Sequence, residues 1–337
     1  MFGDTLIRYN EHGGVIVRQS DLSSWSRCNL QKHYNDTAKT DPTAPQPKRL
    51  SATQFGTVVH YALLTMEKLH HAGKEEALDI GLATFEHYWD PKNISSITEP
   101  VDVWMARQTY GGLRDRGRVM LRSYYELLQK DDGKLLALEY EFAVPLPVNG
   151  RVHTLTGTVD RIAVRKWYGT PYLMIEDFKT GKQPYYLRQN MQGTAYSYAS
   201  TQPEFWQSDI YPSFDDETIS GMEQYFAKMG YRLHEGTKDW WWNGPMRKQI
   251  TELASRRFRW INMQDVKYAD GGWRGPHDYA RLRLAVEQYV KAQEAEVFSP
   301  TLDGVVCQYC EYQRTCLGVG LPEKEHGMPE KRYKTQR

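Results

Sequence analysis

The sequence predicts an α/β fold, a mixed central β-sheet flanked by helices. Two observations carry this expectation. Phe55, Val59, Ala62, Leu63 and Met66 recur at helical spacing. Three consecutive segments, LLALEYEFAVPL (135–146), HTLTGTVDRIAVR (153–165) and YLMIEDFKT (172–180), are then rich in β-branched and aromatic residues, as strands are.

Taken in order, residues 1–20 are polar and read as an N-terminal arm. Ser23–Asn35 reads as one short helix around Cys28, and the Pro-rich TDPTAPQPK that follows reads as a loop. Ser51 with Gln54 three residues on fits a capping box that opens the helix over Phe55–Leu69. Residues 75–90 and 101–130 are expected as helices, the three strands come next, and Tyr185–Ala199 returns to helical spacing. Residues 201–284 read as a Trp-rich insertion with a strand near Gln224–Met229. Ala280–Val297 is expected as a helix, residues 285–317 complete the core with the cysteines, and 318–337 form a polar tail.

Net charge is +1, so the protein is not a bulk polycation. Affinity for nucleic acid must come from a local basic groove. No apolar run approaches the ~20 residues of a membrane span. The N-terminal MFGDTLIRYNEHGG lacks the apolar stretch of a secretory signal, so a cytoplasmic location is expected, in a bacterial or phage-infected cell.

The most informative stretch is Gly157-Thr-Val-Asp160 followed by Asp177-Phe-Lys179. The linking KWYGTP supplies turn residues, and a turn centred on Tyr168 and Gly169 sets Asp160 opposite Asp177. Opposed carboxylates repel unless something compensates, and a hard divalent cation such as Mg²⁺ suits carboxylate oxygens. Strand alternation puts Lys179 on the face of Asp177 and turns Glu176 to the other face. Two acids and a lysine suit phosphodiester hydrolysis, although an exposed cross-strand ion network is the plainer reading of such a hairpin alone. His60 lies one turn after Gly56, where the missing side chain permits close approach, and could add a neutral imidazole ligand or serve structurally. Gln192 and Tyr196 share one helix face: the amide can bond phosphate and the ring can stack on a base or pack in the core.

In this order, Gly56-x-x-x-His60, Gly157-x-x-Asp160, Asp177-x-Lys179 and Gln192-x-x-x-Tyr196 resemble the RecB-type branch of the PD-(D/E)XK nucleases. The resemblance covers about residues 20–200 and 285–317. It implies a restriction-endonuclease-like core. It implies Mg²⁺ or Mn²⁺ ligation by His60, Asp160, Asp177 and the carbonyl of Phe178, with Lys179 as catalytic lysine. Gln192 and Tyr196 would support substrate binding and site geometry, and Glu139 matches an acidic position often seen in the preceding strand. The expected activity is exonuclease action on single-stranded DNA ends, 5′→3′ as in related iron–sulfur members, in recombination, repair or replication. Single-strand endonuclease action and a non-catalytic DNA-binding scaffold are the alternatives.

Cys307-x₂-Cys310-x₅-Cys316 with the distant Cys28 suits the four thiolate corners of a [4Fe-4S] cubane better than the paired motifs of structural zinc, which stays an alternative. The same spacing marks the iron–sulfur subgroup of these nucleases, the AddB-type and CRISPR-adaptation enzymes. Such a cluster would staple the two ends of the chain and act structurally. Within the insertion, Arg256-Arg-Phe-Arg-Trp260 interleaves cations and aromatics that could grip single-stranded DNA, or could pack on the core.

Overall fold

The structure, a computed structural model, describes residues 8–105, 107–131, 133–167, 170–181, 190–205, 257–263, 267–274, 276–301, 306–307 and 310–318. In chain order the elements are strand β1 (Ile16–Arg18) and helices α1 (Gln19–Arg27), α2 (Asn29–Thr40), α3 (Ser51–His71), α4 (Ala77–Trp89) and α5 (Tyr110–Leu128). Strands β2 (Lys134–Val148), β3 (Arg151–Trp167) and β4 (Thr170–Lys179) follow, then helix α6 (Met191–Ser200). Strands β5 (Arg257–Asn262) and β6 (Lys267–Trp273) and helices α7 (Pro276–Glu294) and α8 (Gln313–Gly318) complete the set.

The strands form one mixed sheet flanked on both faces by helices. Its centre is β3, which pairs antiparallel with β2 along nearly its whole length. Asn149 and Gly150 close that hairpin, both at positive φ (47° and 77°), as a two-residue turn with the twist of the strands requires. The other edge of β3 is shared. Its first part pairs parallel with β1, from Ile16↔Thr154 to Arg18↔Thr156, and its last part pairs antiparallel with β4, from Trp167↔Thr170 to Arg161↔Glu176. That register is the one the turn at 168–169 predicts, and it points Asp160 at Asp177 one step beyond the last pair. Strand β4 then continues alongside β5 in parallel, Asp177 facing Trp260 and Lys179 facing Asn262.

One apolar layer lies between the sheet and α1, α6 and α7, built from residues such as Leu22, Phe142, Leu155, Tyr198 and Val286. The other lies under α3, α4 and α5. There Phe55, Val59, Leu63 and Met66 of α3 pack with Phe85, Leu121 and, from the sheet, Phe178 and Ile261. A Cβ on Gly117 would stand 2.1 Å from the ring of Phe85, so α4 and α5 approach this closely only with glycine there.

Several expectations are corrected. Cys28 breaks the expected single helix: its extended backbone (φ −162°) ends α1, and its sulfur accepts from the Gln31 N–H to cap α2. Ser51 does not cap α3. Its hydroxyl accepts from the Met105 N–H (3.0 Å) and donates to Gln108 (2.6 Å), fastening residues 101–109, which run before α5 instead of within it. Part of the N-terminal arm is strand β1 and the start of α1. Arg257–Asn262 and Lys267–Trp273, expected inside the insertion, are two strands of the central sheet. The strand expected near Gln224–Met229, residues 182–189 of the expected Tyr185–Ala199 helix, and the 318–337 tail beyond Gly318 lie outside the described residues. No described helix is long and apolar enough to cross a membrane.

Beneath α3 lies a buried ion cluster. Arg161, with a fully buried side chain, pairs with Glu67 of α3 (3.1 Å), with Asp131 (2.9 Å) and, more closely, with Glu176. Arg165 pairs with Asp131 and Glu176, Arg259 of β5 also pairs with Glu176, and Tyr124 and His71 hydrogen-bond Glu67. Arginines 161, 165 and 259 thus meet an equal number of carboxylates, which is the condition for holding charge out of water. Burial alone would raise the Asp131 carboxyl, but the hydrogen bond from Arg165 and the charges of Arg161 and Arg165 outweigh it and hold it below its ordinary value of 3.8. A depressed carboxylate stabilises the fold above that ordinary value, and the contribution is lost as pH falls through the folded one. We expect Arg161→Leu to cost about 3–5 kcal/mol in urea unfolding, because it strands buried carboxylates. Asp131→Asn should flatten the acid limb of stability below about pH 4.

Candidate metal centre and active site

The site forms where the sheet divides. Between the stretch of β3 that pairs with β1 and the stretch that pairs with β4, the edge of β3 has a short gap, and Asp160 lies in it. Its Oδ2 accepts from the backbone N–H of Phe178 at 2.7 Å, so a side chain takes the place of the missing ladder bond. Side-chain alternation slips here. Val159, Ile162 and Val164 all pack in the α6-side core, whereas Arg161 turns to α3. Across the other edge, Glu139 lies between the pairs Leu138↔Arg161 and Tyr140↔Val159, opposite Asp160. Glu139 has φ 49°, a left-handed conformation that few non-glycine residues adopt and that is found disproportionately at functional sites.

Helix α3 brings His60 over this gap. Its Nε2 lies 2.9 Å from the Phe178 carbonyl oxygen and its Nδ1 3.7 Å from Asp160 Oδ2. A Cβ on Gly56 would stand 3.2 Å from the Thr180 hydroxyl, so this glycine lets the helix settle on the end of β4. The ring of Phe178 packs edge-on to His60 and Tyr124, which fixes the carbonyl toward the imidazole.

His60, Glu139 and Asp160 each offer a ligand atom, all within 4.8 Å of one another. An octahedral ion bound at about 2.1 Å spaces its ligands by about 3–4 Å, so a small closure suffices. The charges ask for a cation. Burial first, then the neighbouring Asp177, push the Asp160 carboxyl well above the usual range, against the pull of Lys179 and the Phe178 N–H. Burial, then Asp177 and Glu141, raise Glu139 against the pull of Lys68. Burial lowers the His60 imidazole, with Asp177 opposing, which keeps it neutral and able to ligate. The donor set fits a hard divalent ion.

Asp177 stands apart from that trio among the described residues. It is buried (1% exposed); one oxygen accepts from Gln192 Nε2 at 2.7 Å and the other pairs with Lys179 Nζ. Gln192 also donates to the Tyr196 hydroxyl (2.9 Å), which donates to the Thr158 carbonyl (2.6 Å). Tyr196 is buried against Phe142, so the stacking on a base considered above is not open to it. Both residues hold Asp177 in place. Arg259 is likewise spent on Glu176, and Arg256 lies outside the described residues. Sequence reasoning left the role of Glu139 open, and the ion cluster behind the site escaped it. Its signal was Arg161 and Arg165 inside an apolar strand.

Cys28 and Cys307 both contact Thr301, while among the described residues no three cysteines gather within 4.8 Å. The Thr301 N–H donates to Cys28 Sγ (3.4 Å), Cys307 Sγ contacts the Thr301 carbonyl (3.8 Å), and the Leu30 N–H donates to Ser299. Burial, with Cys28, Cys316 and Cys307 adding, pushes the Cys310 thiol up to about 11 against a hydrogen bond from Tyr312.

The sequence profile of the PD-(D/E)XK nuclease superfamily matches residues 19–317. The chain belongs to that superfamily. It is therefore a metal-dependent nuclease, and nucleases of this superfamily act on DNA. Among solved structures, one titled "Crystal structure of SSO0001" is similar at 12% identity and a TM-score of 0.29, covering 87% of this chain and 94% of that one. No curated protein matches.

Glu139 as a ligand is directly checkable. Glu139→Gln is expected to weaken Mn²⁺ binding about 10-fold or more by calorimetry while leaving the fold intact, since the side chain lines the open cavity and belongs to neither apolar core. Unchanged affinity would remove it from the ligand set.

Proposed function

We propose that the protein is a Mg²⁺- or Mn²⁺-dependent DNA exonuclease, cutting phosphodiester bonds from single-stranded ends in the 5′→3′ direction, with a structural [4Fe-4S] cluster. The observation that carries the nuclease chemistry is the convergence of His60, Glu139 and Asp160 beside Asp177 and Lys179, at the floor of an open cavity. End preference and polarity rest on the resemblance to the iron–sulfur nucleases.

His60, Asp160, Glu139 and the Phe178 carbonyl would hold the ion, with Asp177 joining from its place beside Lys179. When bound, a divalent cation supplies Lewis acidity toward the phosphate and activates water near neutral pH. The protein's own residues do the rest. Asp160, tied to the Phe178 N–H, fixes the edge of the site. Gln192 and Tyr196 aim Asp177. Lys179 Nζ lies beside Asp177, where it can orient the attacking water and offset charge building on the phosphorus oxygens. Lys179→Ala is expected to lower the degradation of end-labelled single-stranded DNA with Mn²⁺ by about 10²–10⁴-fold. Equal activity in wild type and variant would defeat the mechanism, and label released first from the 3′ end would reverse the polarity.

For the cluster, Cys28, Cys307, Cys310 and Cys316 are the ligands. Two backbone N–H groups, of Gln31 and Thr301, point at Cys28 Sγ, as suits a thiolate. Tetrahedral zinc with Zn–S near 2.3 Å would draw the sulfurs to about 3.8 Å. Among the described residues no three cysteines gather within 4.8 Å, so the choice of cubane over zinc rests on the sequence spacing. Anaerobically purified protein should be brown, and Cys28→Ala should lose both the colour and thermal stability. A colourless wild type with bound zinc would replace the cluster by a zinc site, and a variant of unchanged stability would end the staple.

A further inference from the structure

The cavity over the metal ligands has a volume of about 510 Å³, room for a nucleotide, and its lining divides by chemistry. His60, Glu139 and Asp160 supply the ligand atoms. Thr53, Thr57 and Thr180 add hydroxyls. Tyr61, Leu64 and Ile97 add apolar surface. Ala52 and Gly56 keep the first turns of α3 low, so the space along the helix stays open.

Tyr61 immediately follows the ligand His60 and is 41% exposed, yet its ring is not loose. Tyr88 of α4 packs edge-on to it, with ring centroids 5.0 Å apart at 83°. His87 in turn lies edge-on to Tyr88 at 4.8 Å. An exposed aromatic braced in this way has already lost its rotamer freedom, and a ligand that uses it need not supply that ordering. Nothing in the core requires Tyr61 to stand there; its neighbours Ala62 and Leu63 provide the buried face of α3.

We propose that Tyr61, braced by Tyr88, is a stacking platform for the nucleobase adjoining the phosphate held at the His60–Asp160 site, and that this platform makes the site select an unpaired nucleotide. A base inside a duplex has both faces covered by its neighbours, whereas a frayed or single-stranded base offers one to the ring. The Thr53 hydroxyl can donate to a phosphate oxygen there. This inference rests on the nuclease reading given above and adds a substrate determinant to it.

The test pairs a protein change with a substrate change. Steady-state degradation of single-stranded oligonucleotides is measured for wild type, Tyr61→Ala, Tyr61→Phe and Lys179→Ala, using intact DNA and a series carrying one abasic position each. Tyr61→Ala is expected to raise KM about 5- to 100-fold with kcat little changed, the loss that removing one base–aromatic stack produces. Tyr61→Phe should retain most of the affinity. One abasic position should reproduce the loss in wild type and add nothing further in Tyr61→Ala, the non-additivity of two groups in contact. An unchanged KM in Tyr61→Ala, or losses that add at every abasic position, would overturn the platform. If Lys179→Ala is inactive in that same series, the nuclease reading stands without it; if Lys179→Ala is as active as wild type, the nuclease reading itself has failed.

Discussion

Arg161 is a full positive charge with no exposed side-chain surface, and the arrangement of the site follows from how that charge is neutralised. Its partners come from α3, from the segment after α5 and from β4, and Arg165 and Arg259 bring in further strands around the same carboxylates. A buried charge tolerates little displacement of its partners, because each one withdrawn leaves an uncompensated ion in a poorly polarisable interior. The cluster therefore fixes α3 against β3 and β4. Glu67 and His60 lie on one face of α3, so fixing the first positions the second. In the strands, Arg161 follows Asp160 and Glu176 precedes Asp177. One member of each neighbouring pair is locked under α3, and the other is delivered to the site.

The site also depends on the sheet being incomplete at one point. A strand of the length of β3 would ordinarily pair along both edges. Here β1 takes one part of the second edge and β4 another, and the gap between them leaves the Phe178 N–H to the Asp160 carboxylate. Opposite, Glu139 adopts a left-handed backbone that brings its carboxylate to the same place. Acids this close are unfavourable in the bare protein, which is the condition under which a divalent cation binds well.

Much of this was legible in the chain. The hairpin register followed from the KWYGTP turn, and with it the approach of Asp160 to Asp177 and the shared face of Asp177 and Lys179. The helix carrying His60 followed from apolar spacing. Legibility failed where a residue's role depends on partners distant in sequence. Cys28 looked like the middle of a helix because nothing local marks the break; what caps α2 is its own sulfur, held also by Thr301. Ser51 and Gln54 fit a capping box, but both side chains are taken by residues 98–108. Tyr196 could have stacked on a base or packed in the core, and only the sheet beneath it chose the core. Arg259 could have gripped DNA or packed on the core, and the place of β5 beside β4 gave it to Glu176.

The local pattern of this chain was enough to fix strands β2, β3 and β4, the hairpin that carries the acids, and the superfamily to which its ordered motifs point, because those follow from alternation, turn chemistry and residue type over short spans. Three-dimensional packing chose the partners. It made Glu139 a neighbour of Asp160, gave Arg161 its carboxylates, enlisted residues 257–262 and 267–273 in the sheet and set Cys28 and Cys307 on Thr301. The physical reason is the same in each case: charge compensation and edge pairing are satisfied by whatever lies within a few ångströms in space, and sequence separation does not enter.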